Sequence, residues 1–176
     1  SSWGKKGCLR NYGMNFIIEL SKKNYDIIVR PHPHSLKFEK RFINSCKKLT
    51  RNINNIKWDE STNPSESMNI SDLLISDTSS IRFDFFLIHK KPVITLDIKT
   101  EEMLGYEREY LSKNWTDTSS YEIGPVIQRN SIHKLNNEVE KLLENFNKSK
   151  ISSFIDKTIY KFGKGSLSIA NYFSKK

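Results

Sequence analysis

Cysteine is scarce in this sequence: Cys8 and Cys46 are the only two in 176 residues. They stand far apart and in no Cys-x-x-Cys spacing, which argues against a disulfide framework or a zinc ribbon. A reducing cytoplasm is then the simplest home. Long apolar runs are missing as well, none approaching the roughly 20 residues that a membrane span needs. Ser1 to Leu20 lacks the basic start and apolar block of a secretory signal. There is no Gly-x-Gly-x-x-Gly and no P-loop pattern, so neither phosphate-binding fingerprint applies. No Ser-His-Asp or Cys-His arrangement emerges from spacing either.

What is present is one sizeable core's worth of chain with a lopsided charge. Residues 1–60 hold 13 Lys and Arg against 5 Asp and Glu, while residues 61–176 are nearly balanced, 16 against 15. Such asymmetry suits an anionic partner: a phosphorylated substrate, phospholipid headgroups or nucleic acid. Abundant surface lysine explains it equally well.

The apolar pattern alternates between helix and strand periods. Helices are predicted over 9–20, 36–49 and 81–88, with Phe38, Phe42, Ile43 and Cys46 as an inner face of the second. Short strands are predicted at 26–30, 56–58, 73–75, 92–96 and 125–127. One or two helical turns fit 65–70, and 101–120 reads as mostly loop with room for a helical turn. A helix over 132–146 has Asn130 and Ser131 as cap candidates and Leu135, Val139, Leu142, Leu143 and Phe146 at core spacing. Two more helices, near 152–159 and 166–173, close the chain. Interleaving of this kind implies an α/β fold with a mainly parallel sheet flanked by helices, and ligands in such sheets sit beyond the strands' carboxyl ends. Three segments qualify: Pro31–Ser35, Ser76–Ser80 and the opening SSWGKKG. That last is a loop leading into a helix with no strand before it, so the chain reads as cut at or just after a first strand.

Ser76-Asp77-Thr78-Ser79-Ser80 gathers four hydroxyls and a carboxylate where a strand hands over to a helix. One such residue is an ordinary helix cap. Five exceed that need and suit a phosphate, with Thr78, Ser79 and Ser80 as donors beside the helix amides. Asp84, four residues past Ser80, shares its helix face and can orient that hydroxyl or a ligand; a plain surface acid is the alternative. In RPHPHS, Arg30 ends a strand, and His32 is stiffened by Pro31 and Pro33. A histidine so held can donate to a phosphate oxygen or act as an acid, or it can simply bond the backbone. His32 and His34 lack a third ligand nearby, so no metal site is nominated. Gly4, Gly7, Lys5 and Lys6 form a weaker anion-binding candidate.

Taken together, IIVRPHP, LLISDTSSIRFDFF and KKPVITLD resemble the CDP-glycerol glycerophosphotransferase family, whose members build teichoic-acid-type polymers. Softer similarities lie in SSWG, IGPVI and FGKGSLSIANYF. The resemblance implies that residues 1–176 form a single Rossmann-like, donor-nucleotide-binding domain, the C-terminal half of a two-domain GT-B enzyme. It further implies transfer of glycerol phosphate from CDP-glycerol to a hydroxyl of a cell-surface polymer or lipid-linked glycan acceptor, releasing CMP. No cofactor beyond the nucleotide-activated donor is implied. His32 would be the diphosphate contact and catalytic acid, Arg30, Thr78, Ser79 and Ser80 donor-binding residues, and Asp77 and Asp84 their supports. The family's other catalytic histidine belongs to an N-terminal domain outside this chain. Thr78 stands where the family often has tyrosine. The location implied is cytoplasmic, with possible attachment to the inner membrane face. Two alternatives remain: a UDP-sugar glycosyltransferase or epimerase of the same fold, and a non-enzymatic basic module for nucleic acid or membrane. The second lacks any nucleic-acid-binding signature, so nucleic acid is not an expected partner.

Overall fold

The computed structural model describes Gly4 and residues 7–98, 115–159 and 161–174. Two short helices open it, α1 (Cys8–Tyr12) and α2 (Asn15–Ser21), where the sequence pattern predicts one. Gly13 between them takes φ 69°, which only glycine adopts without strain, and its amide closes α1 on the Leu9 carbonyl. After strand β1 (Ile27–Val29), a second expected helix is likewise split, into α3 (Pro33–Phe38) and α4 (Lys40–Thr50). Pro33 starts α3 early, because its fixed φ suits a first helical position. Glu39 makes the break: its carboxylate turns back to accept from Ser35 Oγ (2.7 Å), Gly4 N (3.1 Å) and Arg10 Nε (2.9 Å). The break takes Phe38 off the inner face, leaving it 62% exposed, while Ile43 and Cys46 are buried.

Strand β2 (Ile56–Trp58), helix α5 (Ser65–Ile70), strand β3 (Leu74–Ser76), helix α6 (Ile81–Leu87) and strand β4 (Val93–Leu96) lie within a residue or two of their sequence expectations. Of the stretch 101–120, read as mostly loop with a helical turn, 101–114 lies outside the described residues, as do 99 and 100 before it. Its remainder is helical: α7 (Trp115–Thr118), and then α8 (Ser120–Ile123), which begins at its end. After β5 (Val126–Ile127), a 3-10 turn over Arg129–Lys134 leads into α9 (Leu135–Asn145). Asn130 and Ser131 therefore do not cap this helix; the chain coils early, and both sit inside the turn. Helices α10 (Ser149–Thr158) and α11 (Gly165–Phe173) follow.

The strands are parallel, as expected, but in two sheets rather than one. β1 pairs with β2 (Ile28 opposite Lys57), and β4 lies between β3 (Ile75 opposite Ile94) and β5 (Thr95 opposite Val126). β4 is the most deeply buried strand, with Val93, Ile94 and Leu96 at 0% exposure. One of its faces packs with Cys8, Leu20, Leu135 and Val139 from α1, α2 and α9. Its other face packs with Phe85 and Phe86 of α6, Met68 of α5 and Phe154 of α10. Strand β5 must approach closely, since a Cβ at Gly124 would stand 1.9 Å from the Val93 carbonyl oxygen. Glycine at 124 is thus required by backbone contact. Such a chain, buried on both sheet faces, reads as near-continuous apolar strands.

Candidate functional site

The three loops singled out by the strand-end rule do meet. Cys8 N, at the start of α1, donates to Asp77 Oδ2 at 3.0 Å. Gly4 N donates to Glu39, which also holds Ser35. The opening loop is thereby staked to both other loops, and the carboxyl ends of β1 and β3 lie at one end of the molecule. Lys5 and Lys6 lie outside the described residues.

Within Ser76–Ser80 the residues divide the work. Asp77 is fully buried and accepts from Ser79 N (3.1 Å) as well as from Cys8 N, so it shapes the loop from beneath. That leaves the hydroxyls of Thr78, Ser79 and Ser80 without hydrogen bonds among the described residues. Ser80 directly precedes α6 in a helical conformation (φ −60°, ψ −22°), and its side chain makes no cap. The ordinary cap reading of these serines therefore fails on geometry: a backbone-directed hydroxyl is what a cap needs. Ser76 Oγ, at the end of β3, is buried with no partner among the described residues.

Arg82 was not singled out by its sequence position, yet it anchors this loop. Its guanidinium is fully buried and donates to the Ser79 carbonyl (2.9 Å), Thr95 Oγ1 (2.9 Å) and Ser120 Oγ (2.6 Å). The signal was present: Arg82 shares a helix face with Phe85 and Phe86, at spacings of three and four. An arginine on an apolar face must find acceptors, because its charge cannot be shed.

His32 immediately precedes α3, and its Nδ1 accepts from the His34 amide at 3.1 Å. The ring proton of the neutral form therefore sits on Nε2. Burial lowers the His32 pKa below its ordinary value, the neighbouring His34 lowers it further, and Asp77 pulls the other way. The side chain is thus a neutral Nε2–H donor at pH 7. Arg30 lines the same cleft as His32, and its guanidinium is also engaged within the chain. Its guanidinium pairs with Asp59 and donates to Ser61 Oγ (3.0 Å), tying the ends of β1 and β2 together. Asp59 is held well below the usual carboxylate range: burial works to raise it, and hydrogen bonds from Ser67, Ser61 and Arg30 overcome that.

His32, Ser79, Ser80 and Asp84 line one cleft of about 870 Å³, whose rim also includes Arg30 and Pro31. Thr78 is exposed beside it. Donor hydroxyls from one strand end thus face the same space as an imidazole N–H carrier from the other, an arrangement suited to a diphosphate. Among the described residues no cluster of His, Cys, Asp and Glu is suited to a metal.

The family model of CDP-glycerol:poly(glycerophosphate) glycerophosphotransferase matches residues 10–169. The chain belongs to this family. Comparison with curated proteins and with solved structures returned no match. The matched span contains the whole RPHP and SDTSS region. The glycerophosphotransferase family moves glycerol phosphate from CDP-glycerol, and that is the activity class of this chain. Family membership displaces the non-enzymatic reading. Among the described residues, no helix of this glycerophosphotransferase is long and apolar enough to cross a membrane.

Proposed function

We propose that residues 1–176 form a single donor-binding domain, the C-terminal half of a GT-B enzyme that builds a teichoic-acid-type polymer. The CDP-glycerol diphosphate lies in the cleft between His32 and Ser79–Ser80. The observation that carries this is the convergence of three uncommitted donors, the hydroxyls of Ser79 and Ser80 and the Nε2–H of His32, at the ends of two parallel strands. The acceptor hydroxyl, from a cell-surface polymer or lipid-linked glycan, attacks the glycerol-bearing phosphorus. The bond from that phosphorus to the bridging oxygen breaks, and CMP leaves with the bridging oxygen.

The leaving phosphate gains negative charge as this bond lengthens, and a fixed Nε2–H donor strengthens with it. His32 is not the base for the acceptor proton: its Nδ1 already accepts from the backbone, and its Nε2 already carries hydrogen. Deprotonation falls to a group other than His32. Asp77, Arg82 and the Arg30–Asp59 pair act as positioning residues, and Asp84 orients Ser80 or the glycerol. The basic first third suits a cytoplasmic enzyme resting on an anionic membrane face, where a lipid-linked acceptor would be found.

Calorimetric titration with CDP-glycerol, CDP and UDP-N-acetylglucosamine tests this. Binding of the cytidine ligands alone, weakened about tenfold or more in His32→Ala and in Ser79→Ala/Ser80→Ala, is the expected result. Preference for the uridine sugar would move the chain to another donor on the same fold. Cytidine binding unaffected in both variants would remove the diphosphate from this cleft.

A further inference from the structure

The basic excess of the first 60 residues is unevenly committed within the fold. Arg10 pairs with Glu39, Lys22 with Glu19, Lys23 with Glu140, Arg30 with Asp59 and Lys47 with Glu60. Lys37, Lys40, Arg41, Lys48 and Arg51 are exposed, and none of them has an ion pair or hydrogen bond among the described residues. All five lie on α3 and α4 or directly after α4, whereas Lys57, which is likewise unpaired, belongs to β2. Between positions 31 and 58 the sequence has a single carboxylate short of Asp59, that of Glu39. It is turned inward, at 11% exposure, toward Ser35, Gly4 and Arg10. The outer side of α3 and α4 is therefore a strip of positive charge with no acid on it.

Helix geometry lines these charges up. Arg41 and Lys48 are two turns apart and Lys40 and Arg51 three, so each pair shares a side of the helix. The opposite side carries Ile43, Cys46 and Thr50 into the core. Cations in a last turn stabilise a helix by themselves, since they meet its negative end. Lys40 and Arg41 stand in the first turn of α4, where the same dipole opposes them. Their placement costs stability unless an anion lies over them. The strip also starts at the donor cleft. The His32 ring meets His34 edge-on (centroids 5.1 Å apart), His34 meets Phe38 (5.7 Å), and Lys37 Nζ lies 5.0 Å over the Phe38 ring. From His32 the surface leads along α3, across the break at Glu39, and then for about 16 Å along α4.

We propose that this strip holds the acceptor. A poly(glycerophosphate) chain lies along α3 and α4, its phosphates against Lys37, Lys40, Arg41, Lys48 and Arg51 and its terminal hydroxyl at the His32 end. On the donor reading of the cleft, on which this rests, that hydroxyl must reach the glycerol-bearing phosphorus. A flexible polymer with one charge per repeat suits cations set out along a line. Each exposed contact is screened and modest by itself, so affinity comes from their number and grows with acceptor length until the strip is filled. Single-stranded nucleic acid needs open aromatic faces for its bases, and the rings here, His34 and Phe38, already pack on one another and under Lys37. An anionic bilayer spreads the same phosphodiester charge over a plane, whereas this strip is a line that begins at the reacting group. The strip thus makes a long acceptor a better substrate than a short one.

The test titrates the chain as it stands, at low ionic strength, with a glycerol phosphate dimer and with an oligomer of about ten repeats. Arg41→Gln/Lys48→Gln removes two charges from the strip, and Lys23→Gln/Lys157→Gln removes as many elsewhere. The long oligomer is expected to bind more tightly than the dimer and to weaken about tenfold in the strip variant only, with a shallower salt dependence. Affinity for CDP-glycerol and the melting temperature should stay unchanged in that variant. A nitroxide at the hydroxyl end of the long oligomer should broaden the NMR signals of His34 and Phe38 and spare Arg51. Absent oligomer binding, equal weakening in the two variants, or a dimer that binds as tightly as the long oligomer overturns the proposal. So does broadening at Arg51 in place of His34. Phosphatidylglycerol vesicles form the lipid arm: a strip variant that loses vesicle binding and keeps oligomer binding makes the strip a membrane contact, and the acceptor path fails. CDP-glycerol is titrated separately, so failure of the strip leaves the donor reading standing, and failure of the donor reading shows in the cytidine titration alone.

Discussion

His32 shows how far a single residue's setting narrows its chemistry. Between two prolines it was restricted on sequence grounds; its bond from the His34 amide then commits one nitrogen and leaves one. Burial and then His34 hold its pKa below the ordinary 6.5. The folded chain therefore binds this proton less readily than the unfolded one. The stability contribution is full above about 6.5 and is lost as pH falls through the lower folded value. An NMR titration of the imidazole is expected to show a midpoint below 6.5, moving upward in His34→Ala; a midpoint unchanged by that variant would show that His34 exerts no such influence. Asp59 presents the opposite sign. Its folded pKa is depressed, so its contribution is present above the ordinary 3.8 and fades as pH falls toward the folded value. Replacing it by Ala leaves the half-buried Arg30 unpaired, at a cost of about 2 kcal/mol, or roughly 4–8 °C in Tm. Calorimetric melting of the variant at neutral pH checks this.

At the scale of elements, the β3–α6 junction is held from inside rather than by its own hydroxyls. Arg82 joins the Ser79 carbonyl to β4 through Thr95 and to α8 through Ser120. Arg82→Met keeps the bulk and removes the donors, stranding buried acceptors on three elements. A loss of about 3 kcal/mol or more is expected. The affinity for CDP-glycerol should fall further than in Thr95→Val, which removes one acceptor and leaves the Ser79 contact intact. Equal affinities in the two variants would reduce Arg82 to a packing role. The helix breaks at Gly13 and Glu39 belong to this scale too. Gly13 tolerates positive φ, but the helical spacing of 9–20 runs straight through it and hides the break. The break at Glu39 was hidden too, since its bonds to Ser35, Gly4 and Arg10 are made across the fold.

For the whole molecule, the charge imbalance has a physical consequence. The excess lies on the segment that forms α1 to α4, including Lys40, Arg41, Lys47, Lys48 and Arg51 on or directly after α4. If this side rests on an anionic membrane, the chain should co-sediment with vesicles containing phosphatidylglycerol at low ionic strength. It should be released by added salt, since screening weakens surface attraction. Binding that survives high salt, or is equal on neutral phosphatidylcholine, would count against electrostatic attachment.

The order of helices and strands, the parallel pairing and the location of polar clusters at strand ends were all determined by the sequence itself. Local periodicity and loop chemistry encode them, and RPHP and SDTSS needed no distant partner to stand out. Which residues within those clusters are free was decided only by tertiary structure. Asp77 and Arg30 differ from Ser79 and Ser80 through bonds to residues as remote as Cys8 and Asp59. The division into two sheets was equally hidden. Apolar strands look alike whether their edges are paired or open, because edge pairing lies in backbone geometry that side-chain patterns do not record.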